Sequence, residues 1–357
     1  MQRPNTVPIC VGWCSHGFCL FDEPFIAVRL DDIGMTAVVD IAVVVIGRNE
    51  GARLVASLAS LQGVVARMVY VDSGSTDDSL QVARDAGAQV VELDMTVPFT
   101  AARARNAGFA ALDPAPPFVQ FIDGDCILEP DWIAKGLAAM AAQDDLGIVT
   151  GWRAEILPEA SVYNGLADFE WHGRTGDIDK CGGDMLVRST VFADLDGFNP
   201  ALIAGEDGEF CLRVAKAGWR VHRLGEKMTR HDADMMRFGQ WWQRAVRAGH
   251  AFFEVGAMHP EYAPRDRLRV LVFAVVLPLM AVFAVVFQPW LLLVVLGLYL
   301  LSYLRTARGL QDGGLTASKA RHQALFLSLS KFPNLIGGLT YYWRKWRNKD
   351  MVLIEYK

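Results

Sequence analysis

Val119-Gln120-Phe121-Ile122-Asp123-Gly124-Asp125-Cys126 is a short apolar run that ends in two carboxylates one residue apart. An apolar run of this length reads as a buried strand. In an open parallel sheet, ligands bind beyond the carboxyl ends of the strands. Two acids delivered there repel each other unless a cation sits between them. A hard divalent ion such as Mg²⁺ or Mn²⁺ would relieve that repulsion and share its remaining positions with substrate phosphates. The same residues also suit a turn, because Asp-Gly is a favoured turn dipeptide. The flanking chain decides between the two.

Outward from this strand the pattern is regular. Residues 41–46 are a continuous apolar, β-branched-rich run. Residues 68–71 form a second run that ends at Asp72, residues 88–93 a third, and residues 117–122 the run that delivers Asp123 and Asp125. Helical apolar spacing fills 52–61, the stretch from the Ser73–Asp78 turn to about Ala86, 100–112 and 130–142. Strands alternating with helices at this spacing imply a parallel sheet covered on both faces. The first strand is followed by Gly47-Arg48-Asn49-Glu50, not by a G-x-G-x-x-G turn. A nicotinamide-binding fold fails there, since nothing receives a pyrophosphate at a helix end. The phosphate must be held in some other way, and a metal on Asp125 would do it.

Composition adds a membrane. The chain has 357 residues, a net charge of -5 and 52% hydrophobic residues, and the apolar excess lies after residue 268. Residues 268–287 carry one charge, Arg269, and are long enough to cross a bilayer core as a helix. Pro278 would kink that helix, which a membrane span tolerates. After the Gln288-Pro289-Trp290 turn, residues 290–305 make the second arm of a hairpin. Arg265, Arg267 and Arg269 flank its start, and Arg305 and Arg308 its end, which places both ends and the preceding domain in the cytoplasm. Residues 324–343 hold Lys331, Pro333, Asn334 and two glycines and are expected as an interfacial or re-entrant helix. Between Arg305 and Lys349 nine Lys or Arg face one Asp, a balance that suits anionic lipid. No basic run interleaved with aromatics precedes residue 265, so nucleic acid is not an expected partner.

The N-terminal 36 residues lack the order of a signal peptide. Met35 stands just before the regular pattern, so one expectation is that translation starts there; peptides found upstream of Met35 would sink it. Cys10, Cys14 and Cys19, with His16 among them, match no familiar zinc frame. Cys126, Cys181 and Cys211 are expected as reduced thiols in a core.

Four motifs then carry a resemblance. They are Ile46-Gly47-Arg48-Asn49-Glu50, Val71-Asp72-Ser73-Gly74-Ser75-Thr76-Asp77, Ala104-Arg105-Asn106-Ala107-Gly108 and Asp123-Gly124-Asp125. Together, over about residues 40–250, they resemble glycosyltransferase family 2, whose members have the GT-A-type fold and invert the anomeric centre. The resemblance implies that Gly47, Asn49, Glu50 and Asp72 hold the nucleotide base and ribose. Asp123 would lie nearer the ribose and Asp125 on the metal. Arg105 and Asn106 open a helix for which packing and direct nucleotide contact are equally suited readings. Cys181-Gly182-Gly183-Asp184 resembles the family's Gly-Gly-Asn motif, with Asp184 replacing Asn. Its glycines would allow close backbone approach to a ligand. Gly205-Glu206-Asp207-Gly208-Glu209 resembles the family's Glu-Asp signature. Attack by a sugar hydroxyl needs a base to take its proton, and the resemblance makes Asp207 that base, with Glu206 orienting it or binding the acceptor. Acids at a helix start are also favoured by the helix dipole alone. His231, in a polar stretch expected as a loop, would complete the metal shell or meet the diphosphate. Gln240-Trp241-Trp242-Gln243-Arg244 resembles, off by one residue, an element of processive membrane-bound members; its Trp pair would stack on a sugar or anchor a helix.

The expected organisation is an N-terminal extension (1–36), a GT-A-type α/β domain with a Rossmann-like, mostly parallel sheet (37–258) and a membrane-associated region (259–357). The expected activity is transfer from a nucleotide-diphospho sugar, most simply a UDP-sugar, with Mg²⁺ or Mn²⁺. The acceptor would be a saccharide on a polyprenyl diphosphate at a bacterial inner membrane, in exopolysaccharide or envelope synthesis. Two rivals are a sugar-nucleotide-forming transferase, which would need a basic glycine-rich loop that Gly47-Arg48-Asn49-Glu50 does not supply, and a non-catalytic membrane scaffold, which would have lost its carboxylates.

Overall fold

The computed structural model describes residues 40–355. The expectations for Met35 and for Cys10, Cys14 and Cys19 lie outside the described residues. The chain opens with β1 (Ile41–Gly47), α1 (Ala52–Leu61), β2 (Arg67–Asp72), α2 (Ser79–Asp85), β3 (Gln89–Glu92), α3 (Ala101–Ala110) and β4 (Phe118–Asp123). These strands pair in parallel in the order β3-β2-β1-β4. Chain direction across the sheet reverses between β1 and β4, so the crevice there is where an open α/β sheet binds its ligand. Ile46 lies in register with Asp123, and Gly47 with Asp72.

Alternate residues of the apolar runs feed opposite faces. Val43 and Val45 pack with Leu54, Leu58 and Trp132 on one side, while Val44, Phe121 and Val187 pack with Phe198 and Phe210 on the other. Helix α3 presses onto the second face at Gly108, where a Cβ would collide with the Val44 and Val71 side chains. The glycine of the Ala-Arg-Asn-Ala-Gly motif is thus a packing requirement.

Next come β5 (Cys126–Leu128), α4 (Trp132–Ala142), β6 (Leu146–Glu155), α5 (Val162–Trp171), β7 (Gly176–Asp177), β8 (Met185–Arg188), α6 (Ser189–Asp194), α7 (Glu206–Lys216) and β9 (Arg220–His231). They extend the sheet past β4 as β8-β6-β9-β5, with β8 antiparallel to β4 and β6, and β5 antiparallel to β9. The sheet is therefore mixed, with a parallel half and an antiparallel insertion. His231 was expected in a loop; it is the last residue of β9, buried and paired with Cys126.

Helix α8 (Phe238–Met258) leads to α9 (Pro264–Leu271), a π-helical turn at Val272–Val276, α10 (Leu277–Phe287) and α11 (Leu291–Asp312). The widened turn precedes Pro278, where the missing N–H interrupts the helical ladder. Pro264–Phe287 and Leu291–Asp312 are long and apolar enough to cross a membrane. Leu279, Val282, Phe283, Leu293, Leu296 and Leu300 are all exposed on them, a surface that calls for an apolar medium. Residues 324–343 are not one helix. Helix α12 (Ala317–Leu329) ends at Ser330, and α13 (Lys331–Trp346) turns back along α8. A Cβ on Gly249 would meet the Asn334 backbone, and one on Gly337 the Val246 and His250 backbone, so the two helices cross at backbone contact. That packing explains the polar Asn334 and paired glycines better than an interface does.

Candidate active site

The nucleotide-side loops are organised mostly by their own polar atoms. Asp72 Oδ2 accepts from the backbone N–H of Gly74 (2.9 Å) and Ser75 (2.8 Å), and Tyr70 donates its hydroxyl to Oδ1 (3.1 Å). The buried Asp72 therefore builds the turn, and its neighbour Ser73 faces the cleft. Asn49, at positive φ, accepts from Thr76 N–H (2.7 Å) and donates its own N–H to Ser75 (2.9 Å). Gly47 and Glu50 line the cleft, and Glu50 pairs with Arg53 at 3.0 Å.

Around Asp123 the side chains are held by internal ion pairs. The buried Arg105 donates to Asp123 (2.7 Å) and to Glu206 (2.8 Å). Arg153, which no sequence motif announced, reaches Asp184 at 2.7 Å and Asp123 at 3.3 Å. Burial would raise the Asp123 pKa, but the two guanidiniums outweigh it and hold this carboxyl below its usual range. Asp184 also accepts from Asp123 N–H (3.1 Å) and the Thr229 hydroxyl (2.8 Å), so both its oxygens are engaged. Register explains the meeting, since β4 and β8 pair through Phe121 and Met185. At Gly183, which lines the cavity, a Cβ would strike the Arg105 guanidinium. Asn106 binds the backbone of Phe198 through both amide atoms (2.7 and 2.9 Å), a packing role.

Asp125 has a different neighbour. Pairing of β5 with β9 sets His231 Nε2 3.3 Å from Asp125 Oδ1, and both are buried. Cys126 Sγ joins them within 4.8 Å. Burial pushes the Cys126 thiol well up, which keeps it protonated and a poor ligand for a hard cation. Trp171 packs edge-on against His231 at 4.6 Å, and the buried His231 Nδ1 has no hydrogen-bond partner. One carboxylate and one imidazole on the cavity wall fit a divalent ion that also takes phosphate oxygens.

Across the cleft, α7 begins with Glu206 and Asp207. Arg105 binds Glu206 and leaves Asp207 without a cationic partner at ion-pair distance among the described residues. Burial, then the Glu206 charge, push the Asp207 carboxyl up to about 6. An acid so placed can hold or release a proton near neutral pH. Tyr262, beside Gly205 and Gly208, covers this helix start.

Asp123, Asp125, Asp184, Glu206, Asp207 and His231 line one cavity of about 1720 Å³. Gln240 lies elsewhere: its side chain accepts from Met236 and Arg237 N–H and closes the first turn of α8. Trp241 is buried against Phe326 and Tyr163 while still lining the cavity.

The fold is that of GT-A glycosyltransferases. A mannosyltransferase from Pyrobaculum calidifontis, solved in complex with GDP-Man and Mn²⁺, matches with a TM-score of 0.54 at 17% identity, over 85% of this chain and 87% of that one. Glucosyl-3-phosphoglycerate synthase from Mycobacterium tuberculosis matches with a TM-score of 0.46 at 17% identity, over 61% of this chain and 79% of its own. Residues 42–184 match the family model for Glycosyl transferase family 2. The pre-mycofactocin glycosyltransferase of Mycobacterium tuberculosis is 25% identical over 240 residues, 62% of this chain and 48% of that protein. The chain thus spans about half the length of the curated relatives it matches.

Proposed function

We propose that this protein is a membrane-anchored, inverting glycosyltransferase that moves a sugar from a nucleotide-diphospho donor to a lipid-linked saccharide. The observation that carries the reading is the division of labour in one cavity. Asp125 and His231 stand on one side as a cation site, and Asp207 stands across from them with its proton affinity raised toward neutrality. The acceptor hydroxyl oxygen would form a bond to the anomeric carbon while Asp207 takes its proton. The bond from that carbon to the diphosphate breaks, and the nucleoside diphosphate leaves. Arg105 holds Asp123 and Glu206 in place around this path. A divalent ion held by Asp125 and His231 would supply charge stabilisation to the departing diphosphate.

The mannosyltransferase complexed with GDP-Man and Mn²⁺ supports a nucleotide-sugar donor and such a metal. The two apolar helices support a membrane anchor, and the arginines at both ends of their hairpin support a cytoplasm-facing domain in a bacterial inner membrane. Anchoring in turn favours a polyprenyl-diphosphate-linked acceptor in envelope or exopolysaccharide synthesis. The test is a thermal-shift titration with UDP and GDP, with and without Mn²⁺, followed by a hydrolysis screen over donor sugars. A metal-dependent shift and one preferred donor are expected. No shift with either nucleotide would leave the scaffold reading in its place.

A further inference from the structure

The cavity does not stop at Asp207. It continues past α8 to the roots of α11 and α13, and its lining changes along the way. Beyond the acids come Arg244 and Arg247 from α8, Arg269 from α9, Arg305 from α11 and Lys331 from α13. Two carboxylates stand among them: Glu170 binds Arg244 at 2.9 Å, and Asp266 lies 3.6 Å from Arg269. Among the described residues, no carboxylate lies at ion-pair distance from Arg305 or Lys331. Burial pulls the Lys331 ammonium below its usual range, and nearby Asp266 and Glu170 do not make up the loss. Ser328 also lines this section, with a buried hydroxyl that has no hydrogen-bond partner. Past the cations the wall turns apolar, at Phe273, Leu298, Leu301 and Leu327.

A catalytic acid, a cationic ring and an apolar exit, in that order, match a ligand with three parts. We propose that Arg269, Arg305, Lys331 and Ser328 form a binding site for the phosphate or diphosphate of the acceptor, whose saccharide reaches Asp207 and whose hydrocarbon chain leaves between α11 and α12. The inference deepens the proposed function and rests on it. Guanidinium and ammonium groups suit phosphate oxygens through charge-assisted hydrogen bonds; Arg269 and Arg305 are exposed and Lys331 is half-buried, where the exclusion of water strengthens such a bond. An unpaired hydroxyl supplies one more donor. The five elements that meet here also explain why α13 folds back along α8: without that turn, Lys331 and Ser328 would not face the cleft.

The full chain in detergent micelles tests this, with binding followed by tryptophan fluorescence, since Trp241 lines the cavity. Three probes are titrated: a polyprenyl diphosphate, the uncharged polyprenol of equal length, and inorganic pyrophosphate. The diphosphate lipid is expected to bind at least about tenfold more tightly than either of the others, and Arg305→Gln and Lys331→Gln each to weaken it by about tenfold. Arg305 is exposed, so its variant does not endanger the fold. A retained nucleotide-induced thermal shift confirms that both variants are folded. Equal binding of polyprenol and polyprenyl diphosphate, or unchanged affinity in both variants, would overturn the site. Pyrophosphate binding as tightly as the lipid would overturn the lipid assignment and make the ligand a soluble diphosphate. Loss of the nucleotide shift in the unaltered protein would instead strike at the donor reading, independently of this site.

Discussion

Two pairs of acids face each other across the cleft, and each pair is divided in the same way. At the end of β4, Asp123 is held by Arg105 and Arg153 while Asp125 meets a histidine. At the start of α7, Glu206 is held by Arg105 while Asp207 meets no arginine. One member of each pair is locked by Arg105, and the other is the one we propose for the chemistry. Arg105 joins both locked members, so a single buried guanidinium sets the distance between the two halves of the site. A motif written as two acids is thus two different electrostatic environments, and the arginine that separates them comes from a third segment.

The comparison breaks most visibly at Arg105. In Arg105→Leu, the buried Glu206 loses its cation and the half-buried Asp123 keeps only Arg153, which should cost about 3–5 kcal/mol of stability. Urea unfolding measures this, and a loss below about 1 kcal/mol would show that the strut is dispensable. Asp207→Asn should lower the transfer rate by about 10²–10⁴-fold, the usual contribution of a positioned base. Its nucleotide affinity should stay unchanged, because the change lies away from Asp125. Asp125→Asn should do the reverse and abolish the Mn²⁺-dependent part of the nucleotide thermal shift. If both variants behaved alike, the division between the pairs would be wrong.

The parallel half of the molecule was legible because its information is local. Each apolar run is a strand and each Gly or Asp at its end is a turn, so β1 to β4 and the acids of β4 followed from a few residues apiece. What stayed hidden is what distant pairing creates. His231 was placed near the metal only by resemblance; its position depends on β9 pairing with β5, which turned an apparent polar loop into a buried strand end. Arg153 gave one faint signal, a lone arginine near the end of a buried strand. Gly183 and Asp72 were assigned to a ligand by the resemblance. Here one makes way for Arg105 and the other holds a turn. The Asn334, Gly337 and Gly338 cluster carried its meaning in plain view, since small residues on a helix mark close approach of another backbone, but the partner helix could not be read from spacing alone.

The pH dependence of the unpaired base sharpens the comparison further. Asp207 acts only when ionised, and its carboxyl is pushed up to about 6. Transfer should therefore rise with pH through about 6 and level off above it. A profile already flat at pH 5 would mean that Asp207 is not the proton acceptor.

The smallest effect concerns stability, and it has the opposite sign from activity. A carboxyl whose pKa is higher in the folded protein than in the unfolded chain binds its proton more tightly when folded. Above about pH 6 the ionised Asp207 therefore works against the fold, and below the unfolded value both states are protonated and the penalty vanishes. Asp207→Asn removes that penalty while keeping the shape of the side chain. The variant should melt higher than the unaltered protein at pH 8, by on the order of 1 kcal/mol in stability, and the gain should shrink to nothing as the pH falls toward 4. Glu206→Gln, which takes a charge away from Arg105, should lower the melting temperature at pH 8 instead. Opposite shifts from two neighbouring carboxylates, read in one melting experiment, are what the unequal sharing of Arg105 requires; shifts of the same sign would mean that Glu206 and Asp207 titrate as one unit.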